Sequence, residues 1–162
     1  MKEFEKRYFR DAAELADRLR AERGKGRRLV LANGCFDLLH VGHVRYLDGA
    51  SSHGDILVVA LNDDDSTRRL KGPGRPLFPA VERAEILLAL RKVDYVLLFS
   101  GETVDSVIRV LRPDVHAKGT DYSVESVPER ETAREVGCVT VIVGDPKNHS
   151  SSEIMGRLGT ER

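Results

Sequence analysis

The chain has 162 residues, 26 Lys or Arg and 26 Asp or Glu, giving a formal net charge of zero, with 41% hydrophobic and 32% charged residues. That length fits one domain able to bury roughly 70% of its unfolded surface, so no disulfide or metal staple is needed. The balanced charge excludes a globally basic nucleic-acid binder, and the composition excludes a disordered chain.

Cys35 and Cys138 form no CxxC pair and are expected as buried free thiols in a reducing, cytoplasmic compartment. The first ten residues are too charged for a signal peptide. The longest apolar runs, such as 56–61, fall far short of the ~20 residues of a membrane helix. Neither nucleic acid nor a membrane is an expected partner.

Residues 1–10 offer only Phe4, Tyr8 and Phe9 and are expected as an N-terminal arm before a single domain over 11–162. Asp11-Ala12-Ala13-Glu14 has a capping-box pattern; Leu15, Ala16 and Leu19 continue it at helical spacing, and Gly24 and Gly26 stop it. The run 29–32 reads as a buried strand ended by Asn33-Gly34. A helix is expected over 41–52, a strand over 56–61, a Gly/Pro-rich loop over 71–76 and a helix over 79–90 with Pro79 at its start. Strands follow at 95–99, 115–117 and 139–143, with helices at 102–111, 129–136 and 151–158. The strands are continuous apolar runs alternating with helices, the signature of a parallel sheet covered on both faces. The expected fold is α/β: a Rossmann-like, doubly wound, five-stranded parallel sheet in three α/β/α layers. Ligands of such folds bind beyond the carboxyl ends of the strands, where strand order reverses.

The chemistry-bearing residues lie at those ends. After the first strand come Asn33, Gly34, Cys35, Phe36 and Asp37, then His40-Val41-Gly42-His43 at the start of a helix. His40 and His43 share a helix face, Gly42 lets a ligand approach the backbone, and the helix N-terminus favours an anion. Two imidazoles there suit a phosphate carrying developing charge, best if partly protonated in the transition state.

His40-Val41-Gly42-His43 resembles the HxGH signature of the cytidylyltransferase-like nucleotidyltransferase superfamily. The wider stretch 33–43 is similar to the D-glycero-β-D-manno-heptose 1-phosphate adenylyltransferase branch. Arg68-Arg69-Leu70-Lys71-Gly72-Pro73-Gly74-Arg75-Pro76 supports that branch, as do Arg112-Pro113-Asp114, Lys118-Gly119-Thr120-Asp121-Tyr122 and His149-Ser150-Ser151-Ser152. The serine run keeps the hydroxyls of the branch's Ser-Thr-Thr without the methyls, and 126–130 is more charged than in that branch.

The resemblance implies AMP transfer from ATP to a sugar 1-phosphate, with Mg²⁺ bound to the triphosphate rather than to a protein-built metal site. It implies catalytic roles for His40, His43 and Lys71. Nucleotide contacts fall to Asn33, Gly34, Cys35, Phe36, Gly42, Lys118, Gly119, Asp121, Ser150, Ser151 and Ser152. Asp37, Asp64, Lys71 and Arg83 are expected on the substrate side. The residues alone also allow Arg83 as an exposed helix charge and an aspartate of 63–65 as a helix cap. A homodimer and a separate upstream sugar kinase are expected by the same resemblance. Two other readings stand beside it: a cytidylyltransferase for glycerol 3-phosphate or another phosphoalcohol, and a non-catalytic nucleotide-binding protein.

Overall fold

The computed structural model describes residues 2–146 and 151–159. Its sheet has six parallel strands in the order β1-β4-β3-β2-β5-β6. They are β1 (Tyr8–Phe9), β2 (Leu29–Gly34), β3 (Ile56–Asn62), β4 (Tyr95–Phe99), β5 (Val115–Gly119) and β6 (Val139–Val143). The five expected strands are present, and the sixth comes from the arm. There α1 (Lys2–Glu5) leads into β1, which pairs with β4 at the sheet edge. Arg7 anchors it: Nε donates to Asp94 O at 2.8 Å, Nη1 to Leu88 O at 3.3 Å, and Nη2 to Val93 O. Residues 8 and 9 are therefore part of the sheet, with Phe9 in the core.

Alternation along each strand builds two cores. Val30, Ala32, Leu57 and Val59 face α3 (Val41–Ser51) and α5 (Ala80–Ala89) through Leu47, Ala50, Ala84 and Leu87. Leu29, Leu31, Ile56 and Val58 face α2 (Ala12–Arg23) and α6 (Asp105–Leu111) through Leu15, Leu19, Val107 and Ile108. Asp11 caps α2, accepting from Ala13 N at 2.7 Å and Glu14 N at 3.0 Å. On the opposite edge of the sheet from the site, Asp55, Asp94 and Asp114 accept from the amides of Arg28, Leu57 and Leu29. No helix among the described residues is long and apolar enough to cross a membrane.

One element differs in kind from the sequence expectation. Residues 64–71 form a helix, α4 (Asp64–Lys71), so Lys71 is its last residue and the Gly/Pro loop begins only at Gly72. Asp63 caps it, accepting from Ser66 N at 2.7 Å. The remaining helices are α7 (Arg130–Val136) and α8 (Ser151–Gly159).

The chain winds from β2 through β3 to β4, then returns to place β5 on the other side of β2. Strand order reverses between β2 and β5, so a crevice opens at their carboxyl ends. Because Phe9 is in the core, Phe9→Ala is expected to lower unfolding free energy by ~3 kcal/mol, read from the urea midpoint. An unchanged midpoint would show that the N-terminal segment adds nothing to the fold.

Candidate active site

A cavity of about 610 Å³ lies at this crevice. Asn33, Gly34, Cys35, Phe36, Asp37, His40, Gly42 and His43 line it from β2 and the start of α3, with Lys71 from α4. Lys118, Gly119 and Asp121 line it from β5 and the following turn, and Ser151 from α8. Lys71 thus comes from the helix that follows β3 and Lys118 from β5, the two strands that flank β2. Ser150 lies outside the described residues, as does the side chain of Ser152.

The two histidines fix one another through the helix start. His40 is the N-cap of α3, and its Nδ1 accepts from Gly42 N at 3.1 Å. His43 Nδ1 accepts from His40 N at 3.4 Å, and the ring centroids are 4.0 Å apart. With Nδ1 of each ring accepting, the neutral imidazoles carry their protons on Nε2, where they can donate to an anion. Burial, with the charges of His40 and Lys71 adding to it, pushes His43 from its ordinary 6.5 down to about 4. The histidine expected to work partly protonated is therefore a neutral N–H donor before any ligand arrives.

Phe36 supports this pair. Its ring lies 5.2 Å from that of His43 and stacks on Tyr46 at 6.3 Å. Its φ of 45° is a left-handed conformation uncommon outside glycine. A Cβ on Gly34 would sit 3.1 Å from the Phe36 ring, so the glycine permits the close approach. Tyr46 Oη donates to Ala117 O at 2.8 Å, tying α3 to β5.

Three expected substrate residues are engaged elsewhere. Arg83 does not line the cavity and is fully buried. It donates to Phe78 O at 3.0 Å and to Cys35 O, and it meets Asp64 Oδ1 at 2.7 Å. Asp64 is likewise outside the lining, its carboxylate held by that guanidinium. Asp37 borders the cavity, but its Oδ1 accepts from Leu77 N at 2.6 Å and its Oδ2 lies 2.7 Å from Arg75. Arg83 and Asp37 hold backbone segments together, and Asp64 holds the Arg83 guanidinium.

Sequence reading did not assign Arg45, Tyr46, Glu102, Glu129 or Asp145, all of which border the cavity; the stretch 62–65, expected to orient sugar hydroxyls, help with Mg²⁺ or cap a helix, brings only Asn62 to it. Asn62, Glu102 and Asp145 lie at or just after carboxyl ends of β3, β4 and β6, the edge where ligands were expected. Arg45 pairs with Asp145 at 2.7 Å, and Thr120 Oγ1 donates to Asp145 O at 2.7 Å, joining three rim segments. Both cysteines are free and buried, as expected, and burial pushes the Cys138 thiol up to about 12. No three His, Cys, Asp or Glu residues form a candidate metal-ligand set among the described residues.

A family model described as cytidylyltransferase-like matches residues 31–157. The bifunctional protein HldE of Citrifermentans bemidjiense is 48% identical over 144 residues, which are 89% of this chain and 30% of that protein. Its namesake in Geobacter sulfurreducens is 46% identical over 144 residues, covering 89% of this chain and 29% of that one. The chain therefore spans about 30% of the length of these curated relatives. Among solved structures, the lipopolysaccharide core biosynthesis protein from Thermoplasma volcanium matches with a TM-score of 0.64 at 28% identity. That match covers 75% of this chain and all of the other.

The two kinds of cation make opposite predictions. Arg83→Met strands two backbone carbonyls and is expected to cost about 3 kcal/mol of stability in a urea titration. Lys71→Ala, at an exposed helix end, should leave the melting temperature unchanged and weaken phosphate binding. Acid should also act on the fold. Between about pH 6.5 and 4 the unfolded chain binds a proton at His43 that the folded chain excludes, so stability falls as pH drops through that window. Melting curves from pH 7.5 to 4.5 should show this slope, and His43→Gln should reduce it, leaving the share of buried His116, whose pKa is lowered in the same way.

Proposed function

The chain belongs to the cytidylyltransferase-like family and is a nucleotidyltransferase, and from that premise we propose that it transfers AMP from ATP to a sugar 1-phosphate, with D-glycero-β-D-manno-heptose 1-phosphate as the acceptor. The observation that carries the reading is the His40–His43 pair, with both Nδ1 atoms taken by backbone N–H groups at the strand-order reversal. Support for this acceptor comes from 48% identity to a protein named HldE and from the resemblance of residues 33–43 and 68–76.

An oxygen of the sugar phosphate attacks the α-phosphorus of ATP in line. A P–O bond forms to the sugar phosphate, the bond from the α-phosphorus to the α–β bridging oxygen breaks, and pyrophosphate leaves with the electron pair. The attacking oxygen is already anionic, so no residue has to remove a proton from it. Catalysis reduces to holding the two phosphates in line and offsetting charge on the α- and β-phosphates. His40 and His43 supply Nε2–H donors for that purpose. Lys71 neutralises phosphate charge from the β3 side, and Gly119 and Asp121 serve the nucleotide from the β5 side next to Lys118, whose Nζ is held 3.3 Å from Glu129.

Mg²⁺ is proposed to arrive on the triphosphate and to keep mostly phosphate and water ligands. With Asp37, Asp64 and Arg83 engaged in the protein, and Asn62 buried with its Nδ2 donating to Ser66 Oγ and Gly101 O, the acceptor's hydroxyls are left to Glu102 of the cavity lining. Ser151, at the start of α8, remains available to the nucleotide phosphates. A sugar 1-phosphate must itself be supplied by a phosphorylating enzyme, in keeping with relatives that carry the name bifunctional.

Pyrophosphate release tests the reading, with ATP, CTP and GTP each crossed with β-heptose 1-phosphate, glycerol 3-phosphate and phosphoethanolamine. Release is expected only for ATP with the heptose phosphate. Release with CTP and glycerol 3-phosphate would keep the histidine roles and replace both substrates. No release with any pair, but tight nucleotide binding, would indicate a binding protein. His43→Ala should retain the fold and lower turnover at least ~100-fold, as loss of one preorganised donor to developing charge does elsewhere.

A further inference from the structure

Under the cavity, at the β2–β5 crevice, four polar side chains form a continuous chain. Asn33 Oδ1 lies 3.0 Å from His116 Nε2 and 3.4 Å from Lys118 Nζ. Lys118 Nζ is 3.3 Å from Glu129 Oε2, and Glu129 Oε1 accepts from Val104 N at 3.2 Å. His116 is 0% exposed, Glu129 1% and Lys118 6%, so each is fixed by its neighbours rather than by solvent.

Hydrogen-bond logic determines every orientation here. An ammonium has donors only, so the Asn33 atom it meets is the carbonyl oxygen. The oxygen only accepts, so His116 must donate to it from Nε2. Its Nδ1 then carries a lone pair, and that atom has no hydrogen-bond partner among the described residues. Burial, with the Lys118 charge adding to it, lowers the His116 pKa and keeps the ring neutral with one N–H. Asn33 Nδ2 is left turned away from both partners, on a residue that lines the cavity. A buried Lys–Glu pair gains little stability over an apolar pair of the same size, so orientation is the more telling consequence of this one.

We propose that the Asn33 side-chain amide donates a hydrogen bond to a phosphate oxygen of the bound nucleotide, and that His116 and Glu129 are positioning residues for it. His116 holds the amide oxygen directly, and Glu129 holds the lysine that holds it. The inference rests on the nucleotidyl-transfer reading and deepens it.

Calorimetric titration of the full chain with Mg²⁺–ATP, with the KM for ATP measured in parallel, tests this. Asn33→Asp keeps an acceptor for His116 and Lys118, so the melting temperature should not fall. It removes the donor, so ATP affinity should drop by about tenfold or more. His116→Leu should also weaken ATP about tenfold, through KM rather than kcat. His116→Gln, which can offer an N–H to the same oxygen, should recover most of that loss. In an Asn33→Ala background, neither His116→Leu nor Glu129→Gln should cost any further affinity. Wild-type affinity in Asn33→Asp, or losses that simply add in the double variants, would overturn the proposal while leaving nucleotide binding intact. A wild-type chain that binds no ATP would overturn both the proposal and the reading beneath it.

Discussion

A parallel sheet wound first in one direction and then in the other leaves the carboxyl ends of two adjacent strands uncovered where the winding reverses. In this chain those strands are β2 and β5. From β2 the chain leaves into α3 on one face, and from β5 it leads to α7 on the other. The residues at the gap are Asn33 and Gly34 on one strand, Lys118 and Gly119 on the other. The start of α3 overlooks the same gap, so backbone N–H groups, two imidazoles and a lysine converge without a long loop to carry them. Tyr46 bonds back from α3 to Ala117 O and fixes the helix against β5.

Buried charge keeps the turn between β2 and α3 in place. The Arg83 guanidinium reaches from α5 to Cys35 O and to Phe78 O, so it ties the turn to the segment entering α5. Asp37 makes the complementary tie, accepting from Leu77 N and Phe78 N. Donors from one segment and acceptors from the other close both sides of the same junction. Between them sits Phe36 in its left-handed conformation, a local cost of order 1–3 kcal/mol that the surrounding contacts must over-determine. The position of His43 against the Phe36 ring depends on this junction, which is how an arginine outside the cavity bears on the chemistry within it.

The sheet was legible because a parallel sheet buried on both faces writes continuous apolar runs, as at 29–32, 56–61 and 95–99, and alternation with helices marked the two strands that follow. The sixth strand is two residues long and has no period to detect; its place depends on Arg7 and on pairing with β4, both tertiary. The α4 helix escaped notice because it is polar, burying only Ser66 and Thr67, while its cap at Asp63 was readable. The histidine pair was legible because strand, turn and helix start occur in order around it. Arg83 was harder, since charge suggests exposure. Yet it falls with Ala80, Ala84 and Leu87 on the buried stripe of α5, and a charge on such a stripe points to a buried guanidinium. His116 and Lys118 carried a comparable signal, polar residues within a buried strand at the ligand edge.

The ionisation state of the site follows from the same geometry. Without a ligand, burial and neighbouring positive charge hold His43 neutral, and a further cation near Lys71 would only add repulsion. A triphosphate reverses the sign of that field, which raises the affinity of the ring for a proton. With Nε2 carrying the proton and Nδ1 accepting from His40 N, the imidazole would meet a phosphate as a neutral Nε2–H donor whose hydrogen bond strengthens as negative charge builds on the acceptor. Electrostatic stabilisation that grows along the reaction lowers the barrier, whereas a permanent cation would bind substrate and transition state more equally. On the proposed reading the exposed lysine at the end of α4 and the histidine locked into the start of α3 divide the electrostatic work: Lys71 draws the anion in, and His43 donates to it from Nε2.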